Sequence, residues 1–410
     1  MAATFVVVGA GLAGARAAAT LREEGFDGRV VLLGAEPERP YERPPLSKEY
    51  LRGEAERATI YVHEDAEYYR ANDIDFRPGH AVTAVDAAAG EVELAGGERI
   101  GYDRLLLAPG AEPRRLDVPG AELDGVHYLR TVQDSDALRA RIDAGGTAVI
   151  VGAGWIGCEV AASARTKGCD VTVVEPQSVP LERVLGPELG AFYRDVHVEH
   201  GVDMLVDTGV EAFEGDGRVE RVRTSDGQTL DCDWVLIGIG VRPRVELAER
   251  AGAAVGNGIL VDPHLRTSVE NVFAAGDVTS VDHPLFGERV RVEHWETALE
   301  QGPFAARAML GSDAPYDRIP YFYSDQYDVG MEYAGWAPQW DRVVFRGDPA
   351  SREFIAFWLR DERVIAGMNV NVWDVTDTIQ RLIRSRRPAD LARLTDPDVP
   401  LEELAPTPAS

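Results

Sequence analysis

Two short loops of the same form carry the first chemical signal. "GAGLAG" at residues 9–14 follows the β-branched run "TFVVV", and "GAGWIG" at 152–157 follows "TAVIV"; each opens an alanine-containing stretch of helical character. In a G-x-G-x-x-G start of this kind the first glycine makes the tight turn, the second lets the backbone approach a pyrophosphate, and the third lets helix pack on strand. The phosphates then rest on a helix N-terminus, where unpaired N–H groups and the helix dipole favour negative charge. Gly9, Gly11 and Gly14 fill these places in the first loop, and Gly152, Gly154 and Gly157 in the second. An acid about 20 residues further on is the group that holds a ribose hydroxyl. Glu175 stands at the end of "DVTVVE", and Glu36 lies two places past its strand. Two dinucleotide sites are expected in one chain. Glu175 favours NADH over NADPH, because a carboxylate accepts from a free 2′-OH and repels a 2′-phosphate, and the following "PQSVP" has no arginine to offset that repulsion.

The elements that must position these loops repeat. Strands over 4–9 and 29–34 flank a helix over 12–24, and strands over 147–152 and 170–175 flank a helix over 155–168. Apolar strands at 104–108 and within 233–244 run out into Gly/Pro-rich turns and close the two units. A further helix spans about 294–310. Beyond 318, "IPYFYSDQYDVGMEYAGW" and "FIAFWLRDERVIAGMNV" alternate apolar with polar residues, the pattern of antiparallel strands with one wet face. The expected fold class is α/β: two Rossmann-like dinucleotide-binding domains followed by a C-terminal α+β domain. "APTPAS" at 405–410 is expected to fray.

Composition narrows the function. The 410 residues exceed one core, and 45% apolar with 27% charged residues is ordinary for a globular chain. No run reaches the length of a membrane span and no basic, cleavable leader precedes the first strand, so a cytoplasmic location without membrane attachment is expected. A formal net charge of −27 argues against nucleic acid as a partner. Against that field, "RLIRSRR" gathers Arg381, Arg384, Arg386 and Arg387 near the C-terminus. Three cysteines, Cys158, Cys169 and Cys232, give neither a disulfide framework nor a C-x-x-C, and His197 and His200 in "HVEHG" read as the end of a solvated helix. No metal is expected.

Three further motifs, "RPYERPPLSKEYL" at 39–51, the G-x-R-P exit at 240–243, and "TSVENVFAAGD" at 267–277, together with "PYFYSDQYD", resemble the FAD-dependent pyridine-nucleotide oxidoreductases. More narrowly, the chain is similar from residue 4 to about 385 to ferredoxin reductases of the putidaredoxin-reductase and aromatic-dioxygenase type, with apoptosis-inducing factor as a distant relative. The resemblance implies a glutathione-reductase-like arrangement: a discontinuous FAD-binding domain at 1–110 and 241–318, an NADH-binding domain at 111–240 and a C-terminal domain at 319–410. It implies that the first loop binds FAD and the second NADH. To FAD it assigns Gly9, Gly11, Gly14, Glu36, Arg43, Lys48, Val82, Ala108, Gly110, Asp277 and Trp295; to NADH, Gly152, Gly154, Ile156, Gly157, Glu159, Glu175 and Gly240. Lys48, Glu159 and Trp295 are its catalytic set. Lys48 and Glu159 would pair near the flavin N5, where a cation offsets the negative charge that hydride delivery brings. Each residue also has a plainer reading: Asp277 as a helix cap, Arg43 as a surface ion pair, Trp295 as core, Glu159 as a first-turn carboxylate favoured by the helix dipole.

The missing thiols choose the reaction. Disulfide reductases with this grammar carry C-x-x-x-x-C where residues 41–48 read "YERPPLSK". Cys158 lies near a helix start, which lowers thiol pKa values, but its place in the strand–helix contact makes it a small packing residue. What remains is single-electron delivery. The expected enzyme is an NADH:ferredoxin oxidoreductase passing electrons from FAD to a [2Fe-2S] ferredoxin that feeds a cytochrome P450 or Rieske-type oxygenase, as monomer or homodimer. The arginines at 381, 384, 386 and 387 are candidates for docking an acidic ferredoxin, with Arg289 and Arg291 as a second pair, although a solvated helix end explains the first group as well. Alternatives on the same scaffold are a rubredoxin reductase, an NADH oxidase, which would consume oxygen without a protein acceptor, and a redox-sensing interaction protein like apoptosis-inducing factor, which would reduce its flavin slowly.

Overall fold

The computed structural model describes residues 2–406, so the expected fraying beyond Pro406 lies outside the described residues. The chain forms two compact units: residues up to Glu42 with Arg57–Glu112 and Arg242–Phe322, and Arg43–Glu56 with Pro113–Val241 and Tyr323 onward.

The first unit is built on a five-stranded parallel sheet in the order Val272–Ala274, Arg104–Leu107, Thr4–Val8, Arg29–Leu33, Ile74–Arg77. Thr4–Val8 is central, and its Val6 and Val7 are fully buried, as β-branched residues covered on both faces should be. Leu12–Glu23 and Trp295–Met309 are its principal helices. They approach closely because the facing residues are small: a Cβ on Gly302 would lie 2.4 Å from the Ala13 carbonyl oxygen. Two smaller sheets complete the unit, Val82–Asp86 with Glu91–Leu94 and Arg99–Gly101, and a four-stranded sheet that includes Gly258–Val261 and Thr279–His283.

The second unit repeats the plan. Its parallel sheet runs Asp203–Leu205, Asp170–Val174, Thr147–Val151, Trp234–Ile237, Val126–His127, with the helix Trp155–Thr166 following the central strand. The C-terminal five-stranded sheet orders Tyr321–Gln326, Val329–Gly335, Arg363–Val370, Glu353–Arg360, Arg342–Asp348. Buried Arg346 holds the last segment by donating to the carbonyls of Asp396 and Val399, which leaves its charge solvated by backbone dipoles. The helix Thr376–Ser385 buries Ile379, Leu382 and Ile383.

The expected elements recur within a residue or two at each glycine loop, as helix and strand ends normally do. Two readings differ. Arg43–Glu56, expected within the first dinucleotide-binding domain, packs with the second unit, because Ser163 donates to the Ser47 carbonyl at 2.7 Å and Ser135 to that of Leu46 at 2.8 Å. His197 does not end a solvated helix: in Pro187–Glu199 it continues the buried stripe of Leu189, Tyr193 and Val196 and is wholly inaccessible. Among the described residues no helix is long and apolar enough to cross a membrane.

Replacing Gly302 by alanine is expected to push the Leu12 and Trp295 helices apart and to lower unfolding free energy by about 1–3 kcal/mol. Urea denaturation measures this, and an unchanged midpoint would contradict the close backbone approach.

Candidate active site

Each glycine loop has the shape a pyrophosphate needs. Gly9 and Gly152 turn with φ of +106° and +97°, which side chains disfavour. A Cβ on Gly14 would lie 1.9 Å from the Gly9 carbonyl oxygen, and one on Gly157 2.0 Å from that of Gly152, so both third glycines are required by helix–loop contact. Gly11 and Gly154 begin the helices with no side-chain cap, which leaves first-turn N–H groups for a ligand. A Cβ on Gly11 would meet nothing within 4 Å. The residues fit a dinucleotide phosphate at both places.

Glu175 directly follows the strand Asp170–Val174, and Glu36 lies three residues past Arg29–Leu33. Glu175 is buried and braces the second loop, accepting from the Ala153 N–H at 2.7 Å and the Gln177 N–H at 2.9 Å. A carboxylate accepts about four hydrogen bonds, so lone pairs remain for a ribose. Glu36 accepts from the Tyr41 hydroxyl. Ile156, in the first turn after Gly154, is 41% exposed, an apolar face beside the loop. Gly110 and Gly240, the turn glycines after the closing strands of the two units, have φ of +70° and +94°. Ala108, in the first unit, is buried against Gly9, and Val82 begins a strand.

In the first unit Asp277 lies in the turn between Val272–Ala274 and Thr279–His283, where no helix begins, so the helix-cap reading fails. Two residues that sequence reasoning missed, or placed elsewhere, hold this turn. The buried Gln301 amide oxygen accepts from the Gly276 N–H at 2.9 Å and the Thr279 hydroxyl at 2.6 Å. Arg291, the second-choice docking residue, points inward: it pairs with Glu293 and reaches the Asp277 carbonyl. Arg289, although exposed, donates to the Ser280 carbonyl at 2.8 Å. Trp295 opens its helix with its ring partly exposed, and burial beside Glu300 raises the neighbouring Glu296 carboxyl to about 7.

In the second unit Lys48 and Glu159 form a buried ion pair, Nζ to Oε2 2.9 Å. Lys48 is carried by the turn Pro44–Ser47, which Ser135 and Ser163 anchor. Glu159 is the fifth residue of its helix, past the first turn, so the dipole reading does not account for it. Its Oε2 also accepts from the Ser47 hydroxyl at 2.5 Å and its Oε1 from the Ser324 hydroxyl at 2.7 Å. Arg43 donates to the Arg130 carbonyl. Cys158 is buried, and desolvation pushes its thiol well above the ordinary range, the inert packing role expected of it. Among the described residues no three His, Cys, Asp or Glu side chains gather as a metal site would require. Arg381 bonds Thr378 Oγ1 and the Pro406 carbonyl, and Arg384, Arg386 and Arg387 each have an exposed surface.

Comparisons with known proteins give the family. The family model described as pyridine nucleotide-disulphide oxidoreductase matches residues 3–302, and the reductase C-terminal model matches 321–405. Rhodocoxin reductase of Rhodococcus erythropolis is 38% identical over 400 residues, covering 97% of this chain and 93% of the relative. The ferredoxin–NAD(+) reductase component of the anthranilate 1,2-dioxygenase system of Burkholderia cepacia is 40% identical over 97% of this chain and 98% of its own. Among solved structures, the covalent putidaredoxin reductase–putidaredoxin complex superposes with a TM-score of 0.94 at 37% identity, covering 98% of each chain.

Burial lowers the His197 pKa from 6.5 to about 4. Between these values the unfolded chain binds a proton that the folded chain refuses, so this contribution is complete above pH 6.5 and is lost as pH falls toward 4. In His197→Phe, stability measured by urea denaturation should fall less steeply over this window, by up to one proton or about 1.4 kcal/mol per pH unit. Identical slopes would contradict a neutral buried imidazole.

Proposed function

Because the chain belongs to the pyridine nucleotide-disulphide oxidoreductase family, we propose that it is an NADH:ferredoxin oxidoreductase, with FAD passing electrons to a [2Fe-2S] ferredoxin that serves a cytochrome P450 or a Rieske-type oxygenase. A relative 40% identical is the ferredoxin–NAD(+) reductase component of a dioxygenase system, and a solved structure 35% identical is the ferredoxin reductase of a CYP199A2 system. One observation carries the choice of acceptor. Where a disulfide reductase presents two thiols, this chain presents the turn Pro44–Ser47 and the Lys48–Glu159 pair, and its three cysteines are buried and unpaired. FAD, when bound, accepts two electrons with hydride and gives them up singly.

The chain supplies binding and electrostatics. Gly9, Gly11 and Gly14 offer backbone N–H groups to the FAD pyrophosphate, with Glu36 at its ribose. Asp277, Arg43, Val82, Ala108, Gly110 and Trp295 complete the flavin's contacts. Gly152, Gly154 and Gly157 do the same for NADH, Glu175 selects the free 2′-hydroxyl, and Ile156 and Gly240 flank that cofactor. Lys48 brings positive charge toward the flavin and Glu159 fixes its ammonium. In this reading residues 1–110 with 241–318 serve FAD, 111–240 serve NADH and 319–410 form the third domain. A cytoplasmic location suits the unpaired cysteines.

Arg384, Arg386 and Arg387 form a local basic end on a chain of net charge −27. At contact range, screening over about 8–10 Å removes the distant acids, so this end attracts an acidic ferredoxin. Purified protein with FAD and NADH should reduce a [2Fe-2S] ferredoxin and leave oxidised glutathione and lipoamide untouched. Charge reversal at Arg384 and Arg387 should raise the KM for ferredoxin severalfold and leave NADH-to-dye transfer unchanged. Rapid disulfide reduction without ferredoxin reduction would refute the function, and equal losses with ferredoxin and dye would refute the docking surface.

A further inference from the structure

Behind the Lys48–Glu159 pair runs a hydrogen-bonded line of polar side chains within the second unit. Ser324 Oγ lies 2.7 Å from Glu159 Oε1, Gln326 Nε2 lies 3.3 Å from Ser324 Oγ, His197 Nε2 lies 2.9 Å from Gln326 Oε1, and Tyr327 Oη lies 3.4 Å from His197 Nδ1. Glu159, Ser324, Gln326 and His197 are all almost wholly buried. Four polar groups in one apolar interior cost stability unless each is satisfied, and here each satisfies the next.

The direction of every bond follows from its neighbour. Glu159 bonds Lys48, so its carboxylate is an acceptor and Ser324 donates to it. The Ser324 oxygen then accepts from the Gln326 NH₂. That orientation leaves the Gln326 carbonyl as acceptor for His197, which must carry its proton on Nε2. A neutral imidazole with Nε2–H presents Nδ1 as an acceptor, and the Tyr327 hydroxyl donates to it. His200 stacks on the Tyr327 ring at 3.7 Å between centroids and fixes the outer end. All donors thus point inward toward Glu159, and aligned donors polarise one another.

We infer that Ser324, Gln326 and His197 are positioning residues that fix Glu159 and disperse its negative charge, so that the Lys48 charge is held in place without being cancelled. The inference rests on the reading that the Lys48–Glu159 pair serves the flavin. None of these three was assigned a functional role by sequence: Ser324 and Gln326 share one face of the strand Tyr321–Gln326, and His197 comes from a helix more than a hundred residues away.

The measurements are the midpoint potential of bound FAD, the FAD affinity of the apoprotein, and the rate of flavin reduction by NADH in stopped flow. Ser324→Ala removes the donor to Glu159 Oε1, concentrates negative charge beside Lys48, and should shift the potential to more negative values and slow flavin reduction about tenfold. Ser324→Thr keeps the hydroxyl and should restore both. His197→Phe should give a smaller shift of the same sign, and His197→Gln, whose Nε2–H replaces that of the imidazole, should restore it. FAD affinity should stay within about twofold in all four. A wild-type potential in Ser324→Ala, with Lys48→Met shifted, overturns the inference and leaves the role of the pair intact. A shift in Ser324→Ala with none in His197→Phe overturns the chain beyond Gln326. A wild-type potential in Lys48→Met overturns the reading on which the inference rests.

Discussion

The first turns of the Leu12 and Trp155 helices hold N–H groups that no side chain caps, each opposite the end of a parallel strand. Such groups need an acceptor, and a diphosphate is the anion whose size and charge suit a helix end preceded by a glycine turn. The steric condition for that arrangement is severe. Gly14 and Gly157 sit so near the carbonyls of Gly9 and Gly152 that no side chain fits, and Gly9 and Gly152 take a backbone conformation that other residues resist. The two sheets, their central strands and the buried alanines beneath the loops are the framework that keeps these backbones close.

A second constraint is electrostatic. Burying an ammonium and a carboxylate together costs more than their mutual attraction returns unless additional hydrogen bonds satisfy the remaining donors and acceptors. Glu159 receives three donors, and Lys48 is set on a turn whose carbonyls are themselves bonded by serines from two other helices. So many supports at a site that stability alone would fill with apolar residues point to work done by the charge. In the proposed function, that work is to favour electron arrival on the flavin.

The parts of this account that were legible in sequence are those with local causes. A β-branched run, a glycine turn and a helical stretch follow one another within about 20 residues, and their order alone locates both loops and the helices they open. The supports were not legible in the same way. Ser135, Ser163, Ser324, Gln326 and Gln301 are ordinary polar residues until distant segments meet, and nothing in their local pattern separates them from solvated ones. His197 is the instructive case. Read with its neighbours as "HVEHG" it looks polar, yet Leu189, Tyr193, Val196 and His197 follow the helical period, and that stripe was the signal that the histidine faces inward. Arg291 failed for the opposite reason, since an arginine in a charged stretch says nothing about which way its long side chain turns.

The central claim is that two dinucleotides exchange electrons here with no thiol pair storing any. Anaerobic titration of the FAD-reconstituted protein with NADH, followed by visible absorption, tests it most directly. The account predicts complete flavin bleaching at one NADH per FAD. Bleaching that requires a second equivalent, or a protein that binds no flavin, would contradict it.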